Sequence, residues 1–205
     1  MPSWKALTGH RVKRRGRLRR FPQAKGLCHV PPIDFIMNCP NCGAAMTLRD
    51  DADFLVCEYC STPHFPDPNP EGIRVLDVPS EFFCSLCAVP LIHASAGGQR
   101  ILYCERCRGS LISMGIFSEV VHEMRSHREV ASYQHAANWK DLDRRMKCPK
   151  CGSEMDTHPY CGPGNVIIDS CEECGVNWLD YGELDRIVRA PDPEIQRIEI
   201  EIKEK

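Results

Sequence analysis

Apolar residues along this chain fall in short runs broken by turn residues, and one stretch has the longer spacing of a helix. Residues 115–146 form that stretch, and we expect it to be helical because its apolar side chains recur three or four positions apart. The positions are Phe117, Val120, Val121, Met124, Ala131, His135, Trp139, Leu142 and Met146.

Shorter elements are predicted on both sides of this segment. A strand is expected at 73–78. Asp180 and Glu183 fit a capping box, in which the first carboxylate accepts backbone N–H bonds and the second reaches back, so a helix is predicted over 183–189. An N-cap residue followed by proline predicts a further helix over 194–203, despite the strand-like alternation of its isoleucines.

Cysteine is the most informative residue of the composition, with 14 in 205 residues. Twelve of them form Cys-x-x-Cys pairs, a regularity that favours metal binding over a disulfide framework. The pairs are Cys39 and Cys42, Cys57 and Cys60, Cys84 and Cys87, Cys104 and Cys107, Cys148 and Cys151, and Cys171 and Cys174.

Taken two at a time, the pairs predict three four-cysteine zinc ribbons. The two-residue gap within a pair permits a tight turn that aims both sulfurs at one point. Between the two pairs of a ribbon lie 14, 16 or 19 residues, enough for a β-hairpin that returns the second turn opposite the first. Four thiolates complete a tetrahedron, so we expect three structural Zn²⁺ ions, without which units this short would not fold.

The residues beside the cysteines suit such turns. Pro40 and Pro149 preset the dihedral angle after the first ligand. Ribbon two departs from this pattern, since Ala88 follows its first pair and Gly109 is expected to restore its second turn. Elsewhere the residue after the second ligand is a glycine, which tolerates positive φ, at Gly43, Gly152 and Gly175.

The predicted fold is a small, metal-stabilised α+β protein: three tandem four-cysteine zinc ribbons, with a central helix and short C-terminal helices. The predicted divisions are a basic arm at 1–37, ribbon one at 38–66, a proline-rich linker at 67–81, ribbon two at 82–113, a helical segment at 114–145, ribbon three at 146–182, and a C-terminal helix and tail at 183–205.

Other chemistry is compatible with cysteine pairs. Thiol oxidoreductases use Cys-x-x-Cys at a strand-to-helix junction of a βαβ unit, which this pattern does not resemble, and a rubredoxin-like iron site also has four cysteines. Cys28 and Cys161 are left over, and Cys161 with His158 is either an auxiliary metal pair or, as we favour, an unpaired loop thiol. The three histidines of the helical segment, His122, His127 and His135, lack the spacing of a helical metal site.

Charge is divided unevenly along the chain. Residues 1–36 hold nine Lys and Arg against Asp34 alone, and the remainder carries a net charge of −10. This basic stretch is either a disordered arm or untranslated sequence upstream of a start at Met37. Ribbons one and three are acidic. Ribbon two is positive, and its arginines are the candidate nucleic-acid contacts: Arg100, Arg106 and Arg108.

Residues 171–184, which read Cys-Glu-Glu-Cys-Gly-Val-Asn-Trp-Leu-Asp-Tyr-Gly-Glu-Leu, resemble the second half of the transcription factor IIB-type zinc-finger family, found in poorly characterised bacterial proteins. Gly175 falls one position earlier than in that family. Ribbon two resembles the same unit without gaps, with Leu111 in place of Trp178. The resemblance implies zinc binding and a ribbon followed by a helix, and it implies no reaction. Trp178 is expected to pack over the hairpin and the helix from Glu183.

These features predict a zinc-binding, non-catalytic interaction protein, an adaptor or scaffold whose rigid ribbons are held apart by a helix and a linker and bind another protein. The alternative is a nucleic-acid-binding or transcription-associated ribbon protein. No nucleophile–base pair or phosphate loop is evident, so we expect no enzyme activity and no small-molecule substrate. Without a secretory signal or a membrane span in the sequence, the cytoplasm is the expected location.

Overall fold

The computed structural model describes residues 37–49, 52–131 and 135–191. The basic arm over 1–36, Cys28 and the helix predicted over 194–203 lie outside these residues. The strands are β1 Met46–Leu48, β2 Leu55–Cys57, β3 Pro63–His64, β4 Arg74–Phe83, β5 Pro90–Ala96, β6 Gln99–Tyr103, β7 Ser110–Ser113, β8 Asp156–Pro159, β9 Ile167–Cys171 and β10 Val176–Leu179. The helices are α1 Met114–Ser126 and α2 Glu183–Arg189, and a 3-10 turn covers Trp139–Asp143.

The strands form two antiparallel sheets. Ribbon one has its own three-stranded sheet in the order β1-β2-β3. The other seven strands form one sheet in the order β4-β5-β6-β7-β10-β9-β8, in which ribbon two and ribbon three meet edge to edge through β7 and β10. This overturns the expectation that a helix holds these two ribbons apart: the small α+β fold with three four-cysteine units is confirmed, but two of the units are fused.

The pairing of β7 with β10 has a local two-fold symmetry. Leu111 lies opposite Trp178, and these are the residues that occupy the same place in the two ribbons. Ser110 lies opposite Leu179 and Ser113 opposite Val176, so the register extends symmetrically on both sides. Ribbons two and three therefore form an internal pseudo-dimer, and each covers the strand edge that the other would leave unpaired.

Side chains alternate between the two faces of this sheet, and each face has its own core. One face packs against α1 and α2 and includes Ile112 and Leu179. The opposite face includes their neighbours Leu111 and Trp178 together with zinc-ligand cysteines. Trp178 is fully buried on this second face, so its expected packing against α2 is wrong, although its core role is correct.

The helical prediction for 115–146 is correct only for its first part, because α1 ends at Ser126. After it the chain turns back along α2. The Arg128 guanidinium donates to the Asp185 carboxylate over 2.7 Å, and the Ala131 N–H donates to the Arg189 carbonyl over 2.7 Å. These tertiary contacts replace the intrahelical bonds that further turns would have made.

The helix predicted over 183–189 is confirmed as α2. One half of its capping box forms, since the Glu183 carboxylate accepts the Asp180 N–H over 2.7 Å. The Asp180 carboxylate instead accepts a hydrogen bond from the indole N–H of Trp178 over 2.9 Å. It also forms an ion pair with Arg144. The strand predicted at 73–78 corresponds to β4, which continues to Phe83. Over this length β4 pairs with β5, with two register shifts.

Candidate metal centres

Three groups of four cysteines bring their sulfurs together. Within each group every Sγ atom lies within 4.8 Å of the others. One Sγ–Sγ distance from each group is 3.5 Å between Cys42 and Cys57, 3.7 Å between Cys84 and Cys107, and 3.7 Å between Cys151 and Cys171. Four thiolates about 2.3 Å from a zinc ion at tetrahedral angles would lie about 3.8 Å apart. The groups thus fit zinc, in agreement with the three ions expected from the sequence.

The members of these groups are the twelve cysteines predicted as ligands: Cys39, Cys42, Cys57 and Cys60; Cys84, Cys87, Cys104 and Cys107; Cys148, Cys151, Cys171 and Cys174. In every pair the first cysteine is buried and the second is half-buried or exposed. Each centre therefore has one side facing the protein core and one facing the surface. With four protein ligands a tetrahedral ion has no position for substrate, which is the arrangement of a structural site.

All six cysteine turns have the same backbone conformation just after the second ligand. The residue there has positive φ in every case: Gly43, Ser61, Ala88, Arg108, Gly152 and Gly175. In five of the six turns the N–H of this residue donates to the carbonyl of the first cysteine. In ribbon two the left-handed residue is Arg108 and not Gly109, so the expected role of Gly109 is wrong. Ala88 and Arg108 adopt a conformation that favours glycine.

Hydrogen bonds support the thiolate form at two ligands, the half-buried Cys60 and the exposed Cys151. The Thr62 hydroxyl lies 3.0 Å from the Cys60 sulfur, and this contact lowers the pKa of Cys60 to about 6. Ser153 acts likewise and lowers the pKa of Cys151 to about 7. Because zinc binds the deprotonated sulfur, the hydroxyl groups of Thr62 and Ser153 favour metal binding at these two cysteines near neutral pH.

Centres two and three share one apolar cluster around the Trp178 ring. The cluster also contains Met146 and Met155, both buried, and buried cysteines of both centres. The Ser85 hydroxyl in a turn of ribbon two donates to the Lys147 carbonyl of ribbon three over 2.6 Å. The two zinc centres are therefore packed into one unit, which spacing along the chain did not indicate.

A buried ion-pair network supports ribbon three, and sequence reasoning missed it. The Arg144 guanidinium binds the carboxylates of Asp169 and Asp180. Asp169 is fully buried and also accepts the Thr157 hydroxyl over 2.5 Å. Burial raises the pKa of the neighbouring Glu183 carboxyl to about 7, against the opposing effect of Arg144. No local pattern marks this network, because its members are distant in sequence.

The left-over residues form no fourth metal group among the described residues. Cys161 is exposed. His158 Nε2 lies 2.9 Å from the Ser170 hydroxyl oxygen, a serine–histidine contact that the sequence did not reveal. That hydroxyl donates to the Asn177 amide oxygen over 2.8 Å. The other ring nitrogen, Nδ1, lies 3.0 Å from the Pro159 carbonyl oxygen, so both nitrogens of His158 make contacts within ribbon three.

The predicted nucleic-acid contacts of ribbon two make intramolecular contacts. Arg100 lies in β6 and donates to the Arg49 carbonyl of ribbon one over 3.1 Å. Arg106 reaches the Cys87 carbonyl at 3.5 Å. The Arg108 guanidinium lies over the Tyr181 ring, 5.0 Å from its centroid. Nucleic-acid binding by these residues stays a prediction.

Comparison with known families agrees with the geometry of ribbon three. Residues 147–190 match the family described as transcription factor zinc-finger, which confirms the resemblance seen in the sequence. No curated protein and no solved structure matches the chain. Within the described ranges, none of the helices is long and apolar enough to cross a membrane.

Proposed function

We propose that this zinc-ribbon protein is a non-catalytic adaptor that binds another protein through apolar side chains carried on its cysteine turns. The main support for this proposal is that three such side chains are exposed to solvent. Tyr59 lies between Cys57 and Cys60 and is 84% exposed. Phe83 and Leu86 flank Cys84 and are 56% and 50% exposed.

Side chains in this position are suited to recognition. A zinc-held turn fixes the backbone on both sides of Tyr59 and Leu86, so little conformational entropy remains to be lost when a partner binds. Tyrosine is among the residues that dominate the binding energy of protein interfaces. We call the exposed Phe83 and Leu86 the ribbon-two apolar tip.

Charge supports a protein partner over nucleic acid. By sequence, ribbon one carries a net charge of −3 over 38–66 and ribbon three a net charge of −4 over 146–182. Each zinc centre with four thiolates adds a formal charge of about −2. Phosphate affinity comes chiefly from lysine and arginine, and two of the three ribbons would repel it.

Nucleic-acid binding is the second candidate. It is favoured by the description of the matched family as a transcription factor zinc-finger and by the positive charge of ribbon two. In that case Arg106 and Arg108, both exposed, would contact phosphates. Base stacking on Tyr59 would be the expected contribution of ribbon one.

We further propose that the protein is not an enzyme and works in the cytoplasm. Three all-cysteine centres leave no coordination position for a substrate. Twelve zinc-binding thiolates require a compartment that keeps them reduced.

Affinity capture of the full chain from its native cells, with and without nuclease, tests the proposal. The wild type is compared with the double variant Phe83→Ser, Leu86→Ser, and with Val130→Ser, a matched change at an exposed apolar residue outside the cysteine turns. Zinc content is measured for each variant to show that all three centres remain loaded.

The proposal predicts a protein that is captured after nuclease treatment by wild type and by Val130→Ser, and that is lost with the double variant. Loss of every partner on nuclease treatment, with recovery of nucleic acid, would contradict it and support the second candidate. Equal capture by all three proteins would exclude the ribbon-two apolar tip as the contact.

A further inference from the structure

A cavity of about 320 Å³ lies beside the second cysteine turn of ribbon two. Its walls come from the residues before β4, from the end of β6, from the cysteine turn, and from the residue before Gly182. The lining includes Asn69, Glu71, Tyr103, Glu105, Arg108 and Tyr181. Ribbon two and ribbon three thus both contribute to it.

Glu71 is the residue of this cavity whose hydrogen bonding is incomplete. Its side chain lines the cavity although the residue is only 7% exposed. One carboxylate oxygen, Oε1, accepts the Gly182 N–H over 2.7 Å. The other, Oε2, has no hydrogen-bond partner among the described residues. A buried carboxylate oxygen without a donor is costly, so a site that retains one is a candidate for ligand binding.

The neighbouring arginines do not donate a hydrogen bond to Glu71 Oε2. The Arg108 guanidinium lies over the Tyr181 ring, and the Arg128 guanidinium is bound by the Asp185 carboxylate and the Pro70 carbonyl. Burial accordingly raises the pKa of the Glu71 carboxyl. A ligand that brings a positive charge would reverse that effect and complete the hydrogen bonding.

We propose that this cavity binds a primary ammonium group, with Glu71 as its counter-ion. An ammonium has three donors and no acceptor. The cavity offers acceptors on Glu71, Tyr103 and Glu105, and the aromatic ring of Tyr103, which attracts a cation. A divalent metal ion is less suited, because the lining presents two phenol rings in place of a shell of oxygen ligands.

The ammonium could belong to a free amine or to a lysine side chain of a polypeptide. The lysine case deepens the proposed adaptor function, since it would name a basic residue of the partner. Small probes test the cavity without any partner. If the small probes do not bind the cavity, the adaptor proposal is unaffected. If affinity capture contradicts the adaptor proposal, the probes still test the cavity.

The experiment is a titration of the zinc-loaded full chain, labelled with ¹⁵N, followed by NMR. The Gly182 amide is the reporter because its N–H is bonded to Glu71. The probes are n-butylammonium against n-butanol, and a capped Gly-Ser-Lys-Ser-Gly peptide against its norleucine analogue. The variants are Glu71→Gln, which keeps an oxygen for the Gly182 N–H, and Glu119→Gln, which removes an exposed carboxylate of α1 as a control.

We expect n-butylammonium to shift the Gly182 amide saturably, while n-butanol and the norleucine peptide do not. Glu71→Gln should weaken this binding by about tenfold or more, and Glu119→Gln should leave it unchanged. Binding of the lysine peptide as well would assign the ligand to a polypeptide side chain, and binding of butylammonium alone would assign it to a free amine. No saturable shift with either amine, or equal binding by Glu71→Gln, would overturn the proposal.

Discussion

The indole ring of Trp178 occupies the space that a side chain at Gly109 would need. A Cβ atom on Gly109 would lie 2.2 Å from Cζ2 of Trp178. Gly109 directly precedes β7 of ribbon two, and Trp178 lies on the adjoining strand β10 of ribbon three. The two ribbons therefore fit each other at this point, because ribbon two has no side chain where the tryptophan ring of ribbon three lies.

Gly109→Ala should destabilise the zinc-loaded protein by about 1–3 kcal/mol or more, because the core around Trp178 has no space for a methyl group. The backbone at Gly109 is not left-handed, so the cost is steric. Chemical unfolding of the single variants and of Gly109→Ala, Trp178→Leu measures it. In the double variant the two costs should be clearly less than additive. Full additivity would show that the residues do not contact each other.

Ala88→Gly should stabilise the protein by about 0.5–1 kcal/mol. Ala88 has φ of 54°, a conformation that costs an L-residue energy and glycine little. The matched reverse change is Gly152→Ala at the equivalent position of ribbon three, where φ is 76°. Among the described residues, chain neighbours aside, no atom lies within 4 Å of the added Cβ. That change should destabilise by a similar amount. Shifts of the same sign in both unfolding curves would show that the left-handed backbone at Ala88 is not the cause.

Removing Arg144 should be far more costly than removing its neighbour Arg145. Arg144→Ala leaves the fully buried Asp169 carboxylate without its cation, at a cost of about 3–5 kcal/mol. Arg145→Ala breaks an exposed pair with Glu154 and should cost no more than about 1 kcal/mol. Equal unfolding free energies for the two variants would show that the network contributes nothing.

The unfolding free energy of Glu183→Gln should increase relative to that of the wild type as the pH rises. The pKa of Glu183 is raised to about 7 in the folded protein, so its favourable contribution is present at low pH and is lost as the carboxyl ionises near neutrality. Glutamine stays uncharged and can still accept the Asp180 N–H. Between pH 6 and 8.5 the variant should gain on the order of 1–2 kcal/mol relative to wild type.

Unfolding free energies across this range are the measurement, with Glu119→Gln, an exposed carboxylate of α1, as the control. The control should follow the wild type at every pH. A constant difference between Glu183→Gln and wild type would place the Glu183 pKa outside the range.

Features that depend on neighbouring residues could be predicted from the sequence. The cysteine groups follow from two-residue spacing, and α2 follows from Asp180 and Glu183. Pairing of β7 with β10 joins residues such as Leu111 and Trp178, which are distant in the chain, and no local pattern specifies it. The end of α1 at Ser126 has the same cause, because Arg128 and Ala131 are held by α2.

The buried site residues escaped prediction for a related reason. Glu71 and Asp169 look like ordinary surface carboxylates in the sequence, and their burial depends on strands assembled from other parts of the chain. The left-handed turn at Arg108 was also hidden, since the adjacent Gly109 is the residue expected to take it. Its real role, to admit Trp178, requires knowledge of the other ribbon.

The most direct test of the three zinc centres is native mass spectrometry of the full chain purified under reducing conditions. We expect a mass increase equal to three zinc ions per chain, with all thiols reduced after denaturation. Two zinc ions or fewer at saturating metal, iron in their place, or a mass deficit that indicates disulfides among the twelve cysteines would contradict it.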